Sequence, residues 1–475
     1  MGNDRDEAGL SSSQLPRSLS LRDGVALIVS NVVGVGIFTT PAIIAGLVPN
    51  PTAMLALWIV GGLLALAGAM SYAELARTFP HAGGEYVYLT KVYGSSAGFL
   101  SGWTSLIAGF SGAVAASSVG LVAYSSEYFP WLASTRDLWS FHCYVGSLTL
   151  TPRSLAAAGV ISVFAVLHVF SLGKVKIVQN MLAVLITSMI VVFSFCGFVF
   201  GHGSWKHFEP SPTHFGAMSW MLALIPVMFA YSGWNAAAYM SEELRDVKRA
   251  IGPVLFIGTT IVVGLYALLN TLYLYAIPPE RMSSAINVGD VAAQALFGVG
   301  GNFVTPALIV ALMGCISAMT IAGPRVYFAM ARDGAFIAAL GRTSKRFGTP
   351  ALAITLQATW SVILVMFGEF EQILMYTGFA VMLSSGVAVA GLFVIRRDEL
   401  RTSFAARMRM LIPAAFVLAC TTIVLNAIIR APKTALVGAA LIAAGIPVFL
   451  LSRRSIATGS IIPPVREELA VEENS

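Results

Sequence analysis

The sequence predicts an all-α integral membrane protein of about twelve transmembrane helices. Three observations carry that expectation. Of 475 residues, 57% are hydrophobic and only 11% charged, against about 25% charged in ordinary soluble domains. Apolar windows of about 20 residues, enough to cross about 30 Å of hydrocarbon, recur between short polar connections. Most of the 29 Lys and Arg fall on one side when alternate loops are assigned to opposite faces. The positive-inside rule then places both termini in the cytoplasm, and a plasma (inner) membrane is the expected location.

The windows run Val25 to Leu47, Ala53 to Ala76, Ser96 to Tyr124, Leu155 to Ser171, Ile177 to Phe200 and Ala217 to Tyr239. Six follow, at Pro253 to Ile277, Phe303 to Met330, Pro350 to Phe367, Gln372 to Ile395, Leu411 to Ile429 and Thr434 to Leu451. Asn287 to Phe297 is too short to span and reads as an outer helix. The connection holding Arg396, Arg397, Arg401, Arg407 and Arg409 reads as a topological anchor. Residues 1–22 read as a disordered cytoplasmic N-tail and 455–475 as a cytoplasmic C-tail, disordered from Pro463 to Ser475. Met1 to Ser20 is rich in Ser and charge, Pro463 to Ser475 is acidic at its end, and neither can build a core. Met1 to Asp23 contains no apolar core, so it is not a cleaved signal peptide.

Several function classes are excluded. The formal charge of +6 is scattered through connections and forms no dense patch, so no nucleic-acid partner is expected. Cys143, Cys196, Cys315 and Cys420 make no C-x-x-C or metal-ligand pattern, and no metal or cofactor is expected. Cys143 falls in an outer connection and reads as a free thiol. An enzyme would need converging carboxylates or a His, Cys or Ser group at one depth, and no such cluster is visible. A channel would need a filter loop or charged ring, which is also missing. The partners expected are the lipid bilayer and a small-molecule substrate; nothing speaks for or against a single-pass companion chain.

Two windows are interrupted. The first contains Asn31-Val32-Val33-Gly34-Val35-Gly36-Ile37-Phe38-Thr39-Thr40-Pro41, the sixth Phe229-Ala230-Tyr231-Ser232-Gly233-Trp234-Asn235. A lone glycine usually serves close helix packing, as Gly61 and Gly62 or Gly98 and Gly102 can. Two interruptions five spans apart predict more. Discontinuous helices at corresponding positions of two inverted repeats mark the substrate site of many transporters. A broken helix frees backbone groups that lipid does not tolerate, so the breaks must line a cavity. One side of each break offers N–H groups and partial positive charge, the other carbonyls and partial negative charge. A zwitterion fits both, and the breaks carry no ionisable side chain, which predicts a small amino-acid-like solute with a neutral side chain. Residues 23–202 then form the first five-helix repeat, 203–397 the inverted second, and 398–454 two further helices.

With Ser71-Tyr72-Ala73-Glu74-Leu75 and Pro80-His81-Ala82-Gly83-Gly84-Glu85-Tyr86-Val87-Tyr88 added to the two interrupted stretches, the chain resembles the amino acid, polyamine and organocation transporter superfamily, in its L-type amino acid transporter-like branch. The resemblance implies rocking-bundle alternating access and sodium-independent exchange of amino acids. It implies that the backbone of Val32, Gly34, Val35, Gly36 and Ile37 meets the substrate carboxylate, and carbonyls of Phe229, Ala230 and Ser232 the amino group. Asn235 and Phe229 match positions that tune selectivity and occlusion. Two departures stand out. Val35 replaces a frequent serine, and no lysine lies in the fifth helix, where Ile186 and Thr187 stand. Ion coupling is therefore an open alternative, with a proton- or sodium-coupled amino acid or amine symporter as the rival and hydroxyls of Ser317 and Thr320 as candidate ligands. Among charges inside spans, Glu74 and Arg325 are candidates for an inner gate together with Phe229. His168 reads as interfacial, and Glu242 and Glu243 as a solvated helix end.

Overall fold

The computed structural model describes residues 15–143, 146–170, 172–209, 216–285, 287–298, 304–344, 346–367, 370–430 and 432–456. The tail expectations for residues 1–14 and 457–475, and the side chain of Cys143, lie outside the described residues. Helices run in the order α1 Leu21–Val32, α2 Gly36–Leu47, α3 Pro51–Thr78, α4 Glu85–Tyr93, α5 Ser95–Thr104 and α6 Phe110–Ser125. A hairpin of β1 Trp139–Cys143 and β2 Gly146–Leu150 precedes α7 Pro152–Phe170, α8 Leu172–Phe200, α9 Ala217–Ala230, α10 Ala236–Tyr239 and α11 Val247–Ala276. Then come α12 Pro279–Met282, α13 Val288–Phe297, α14 Val304–Arg332, α15 Ala351–Phe367 and α16 Phe370–Ile395. The chain closes with α17 Arg397–Thr402, α18 Phe404–Arg409, α19 Leu411–Arg430, α20 Pro432–Ala443 and α21 Gly445–Ile456.

Among the described residues, 8 helices are long and apolar enough to cross a membrane, or up to 9 when a bent pair counts as one span. That pair is α1 and α2, which meet at 45°. The sixth window is shorter than expected because α9 ends at Ala230, where the polar stretch Tyr231 to Asn235 unwinds it. The short outer helix appears as α13, begun by the Asn287 side chain accepting from the Gly289 N–H at 3.0 Å. The β-hairpin was not foreseen.

Local chemistry sets the ends that matter for the site. Ser20 and Asp23 form a reciprocal capping box at the start of α1, satisfying donors that a helix N-terminus leaves open. The other oxygen of Asp23 accepts from Asn180 Nδ2 at 2.6 Å and fastens α1 to α8. Asn50 caps α3, its side chain accepting from the Ala53 N–H at 2.9 Å, with Pro51 in the first turn. Between α5 and α6 the chain makes a π turn, Ser105–Gly109, an irregularity that tends to mark functional places.

The tail expected to be disordered to residue 22 is ordered from Leu15 onward. Leu19 bonds in strand fashion to the connection after α10, its N–H donating to Glu243 O and its carbonyl accepting from the Arg245 N–H, both at 2.9 Å. Lys176 Nζ donates to Ser18 O at 2.9 Å, and Leu15 is buried with Ala82 and Phe328. Leu15 and Leu19 are buried within this segment, which its composition, averaged over the tail, conceals.

Candidate functional site

The first break begins where Val33 N–H makes the last α1 bond, to Val29 O at 2.9 Å. The N–H groups of Gly34, Val35, Gly36 and Ile37 then find no protein acceptor among the described residues, while Phe38 and Thr39 bond back to Val35 O at 3.1 and 3.2 Å. These orphan donors are the open N-terminus of α2, with its partial positive charge. Gly36 is required by proximity: a Cβ there would lie 2.9 Å from Ala230 Cα. The two breaks are therefore in backbone contact.

The second break turns at Gly233, whose φ of +104° suits glycine and few other residues. Asn31, in the last turn of α1, donates through Nδ2 to Gly233 O at 3.1 Å. Ser232 N–H bonds Phe229 O at 2.9 Å and Ala236 N–H bonds Gly233 O at 3.0 Å. The hydroxyl of Tyr266, on α11, lies 2.8 Å from Val32 O and 3.0 Å from Ala230 O. One side chain thus serves the frayed carbonyl ends of both α1 and α9. Tyr266→Phe is expected to strand these buried acceptors, costing about 1–3 kcal/mol. Thermal unfolding of the purified protein should register that loss, with an unchanged melting temperature as the contrary result.

The breaks open on a cavity of about 380 Å³ lined from α1, α2, α4, α6, α9, α14, α16 and α19. Val32, Gly34, Val35, Gly36, Phe229, Ala230, Ser232 and Asn235 all reach its wall. Ile37 does not; its side chain is fully buried in the core. Val32 offers the gap a carbonyl, already held by Tyr266, and not a free N–H. Tyr231 and Trp234 serve packing. Tyr231 lies against Trp58 and Tyr266 and donates to Trp58 O at 3.0 Å, while Trp234 meets Tyr72 edge to face at 4.8 Å and also Phe416.

Sequence reasoning missed Glu85 and Tyr266. Glu85 opens α4, is only 3% exposed and lies in the cavity wall. Its Oε1 accepts from Tyr72 at 2.5 Å, Ser385 at 2.9 Å and Asn235 Nδ2 at 3.2 Å. The sequence signal was an acid following two glycines inside an apolar neighbourhood, a stretch used above only for its resemblance.

Other expected groupings are rearranged. Glu74 and Arg325 do not meet. Glu74 pairs with Arg396 near the surface, whereas Arg325 forms a buried pair with Glu243 through contacts of 2.8 and 3.1 Å. Glu243 is thus no solvated helix end. Neither is Glu242, which holds Arg332 at 2.8 and 3.0 Å and accepts from the backbone of Ala82 at 3.2 Å. Burial alone would raise the Glu242 carboxyl, but Arg332 and these N–H groups hold it below the ordinary glutamate value. His168 is buried in the interior: Nδ1 lies 2.6 Å from Phe164 O and Nε2 3.2 Å from Ser317 Oγ. Because a carbonyl only accepts, Nδ1 carries the hydrogen and, in the neutral ring, Nε2 accepts from Ser317.

Thr320 Oγ1 donates to its own helix, to Ile316 O at 2.7 Å, so both hydroxyl hydrogens of the candidate ion-ligand pair have partners while their oxygen lone pairs are not spent by donation. Ile186 is an apolar core residue, and Thr187 is half-buried. Between α1 and α14 the thiol of Cys315 reaches Asn31 O at 3.6 Å. Gln179 on α8 reaches Gly314 O at 3.5 Å.

Comparison with known proteins identifies the family. The Asc-type amino acid transporter 1 of Mus musculus is 26% identical over 449 residues, covering 92% of this chain and 81% of that protein. The b(0,+)-type amino acid transporter 1 of Mus musculus is 27% identical over 434 residues, 89% of this chain and 85% of its own length. The serine/threonine exchanger SteT of Bacillus subtilis is 25% identical over 393 residues, covering 81% of this chain and 84% of that protein. The family model described as amino acid permease matches residues 19–451, and the chain belongs to that amino acid permease family, as an L-type-like member of the amino acid, polyamine and organocation superfamily.

Proposed function

We propose that this permease exchanges neutral L-amino acids across a plasma (inner) membrane without sodium, by rocking-bundle alternating access. In this reading the described helices belong to a twelve-span, five-plus-five inverted repeat with two additional helices and cytoplasmic termini. The observation that carries the substrate class is the row of unpaired N–H groups at Gly34, Val35 and Gly36, in the wall of a cavity that the carbonyl end of α9 also lines. An α-carboxylate satisfies the donors and an α-ammonium the carbonyls of Phe229 and Ser232. Each helix-end contact contributes about 0.3–1 kcal/mol when exposed and up to about 2 kcal/mol when partly buried. That is modest binding, which suits a carrier that must also release. The relatives named as amino acid transporters and as an exchanger support the same substrate class and the exchange mode.

Phe229, beside the ligand groups, acts as the occluding side chain. The face bearing the N-terminal strand is held shut by Arg325 with Glu243, Arg332 with Glu242, and Leu19 laid against Leu244. Liposome uptake of radiolabelled amino acids, with and without internal amino acid, a sodium gradient or a pH gradient, tests the proposal. Uptake is expected to need internal amino acid and to ignore both gradients. Sodium- or proton-driven accumulation into empty vesicles would give the reading to a symporter.

A further inference from the structure

Asn235 lines the cavity, and both hydrogens of its amide are already spent. Nδ2 donates to Glu85 Oε1 and to the Tyr239 hydroxyl oxygen, each at 3.2 Å. Tyr72 and Ser385 add two more donors to the same carboxylate oxygen. The Glu85 oxygen that receives Tyr72, Asn235 and Ser385 serves as the acceptor of this cluster. No arginine, lysine or histidine makes an ion pair with Glu85 among the described residues, so hydroxyls and an amide are what surround it. With the amide turned the other way, Asn235 Oδ1 would face that carboxylate, acceptor against acceptor. What remains to face the cavity is the Asn235 oxygen.

We propose that Glu85 fixes the Asn235 amide with its oxygen toward the cavity, so that the side-chain end of the site prefers neutral amino acids bearing a hydroxyl or amide N–H over their methyl isosteres. The inference rests on the amino-acid site proposed above. Glu85 is a positioning residue in it: it acts on the substrate through Asn235. The surroundings suit a short side chain. Phe229, Met382 and Val424 contribute apolar wall to the same cavity, against which the amide oxygen is a polar group offered to a side-chain hydroxyl. A ligand that places a methyl group there leaves that oxygen dry and unbonded, which a desolvated polar group resists.

The test is competition in reconstituted liposomes between matched pairs, serine against 2-aminobutyrate and threonine against valine, where a hydroxyl replaces a methyl group at nearly constant shape. The wild type should favour the hydroxyl member by about tenfold, the ratio that one neutral hydrogen bond supplies. Glu85→Gln keeps the shape but offers both a donor and an acceptor, so the amide is free to turn. The ratio should fall toward unity. Ser385→Ala removes one donor from Glu85 without touching the Asn235 contacts and should retain the wild-type ratio, which a merely structural role for the cluster would not allow. A wild type indifferent within each pair, or a Glu85→Gln protein with the full ratio, overturns the proposal. Failure of every amino acid to compete in the wild type would instead overturn the substrate site, and this inference with it.

Discussion

Gly36→Val should reduce amino acid uptake to background. Even the first added carbon would stand 2.9 Å from Ala230 Cα and 3.1 Å from Ala230 Cβ. The nearer contact is backbone, which cannot swing aside as a side chain can. The clash must push α2 away from the end of α9, separating the donors at Gly34 to Ile37 from the carbonyls they are meant to face. Overpacking of this kind costs about 1–3 kcal/mol, and a misplacement of about 1 Å in a positioning group can cost roughly a hundredfold in rate. Gly34 supplies the contrast. A Cβ there would meet Cys315 Sγ at 3.4 Å, ordinary contact, so Gly34→Ala should unfold near the wild-type temperature. Uptake and thermal unfolding of both variants check this; normal transport by Gly36→Val would refute the close meeting of the two breaks.

Breaking the buried ion pair should have the largest effect on stability. In Arg325→Met, Glu243 loses its guanidinium while its side chain is wholly buried. An uncompensated buried charge costs about 3–5 kcal/mol, whereas replacing both partners by apolar groups is often neutral. Arg325→Met should therefore lower the unfolding temperature sharply, and Arg325→Met with Glu243→Met should recover most of it. The double variant should still lack the clasp between α14 and the connection after α10. Cys315, in the cavity wall, should then react faster with a membrane-impermeant thiol reagent applied on the side of the N-terminus. Equal reactivity in wild type and double variant would show that the pair has no part in closing that face.

The breaks were legible in the sequence because the signal was local: Gly34, Gly36 and Gly233 interrupt apolar runs that otherwise read as helix. Their consequence, unpaired N–H groups lining a cavity, follows from backbone chemistry without knowledge of neighbours. Glu85 was not legible because its partners are dispersed, Tyr72 at a separation of 13 positions, Asn235 at 150 and Ser385 at 300. A single acid gives no hint of a ring of donors assembled from three helices and a turn. The same holds for Glu243, which reads as solvated beside Glu242 until Arg325, 82 positions away, folds onto it. Ser317 and Thr320 show the converse. Their helical spacing was read correctly, but the hydroxyls go to His168 and Ile316, as helix-interior hydroxyls commonly find the nearest carbonyl or ring nitrogen.

Tyr266 has one hydroxyl hydrogen and two claimants, Val32 O and Ala230 O. Whichever carbonyl holds it leaves the other short of a donor. The tip of α1 and the end of α9 are thus tethered to α11 through one shared hydrogen, so any movement of one half-helix against the other changes which of them Tyr266 holds.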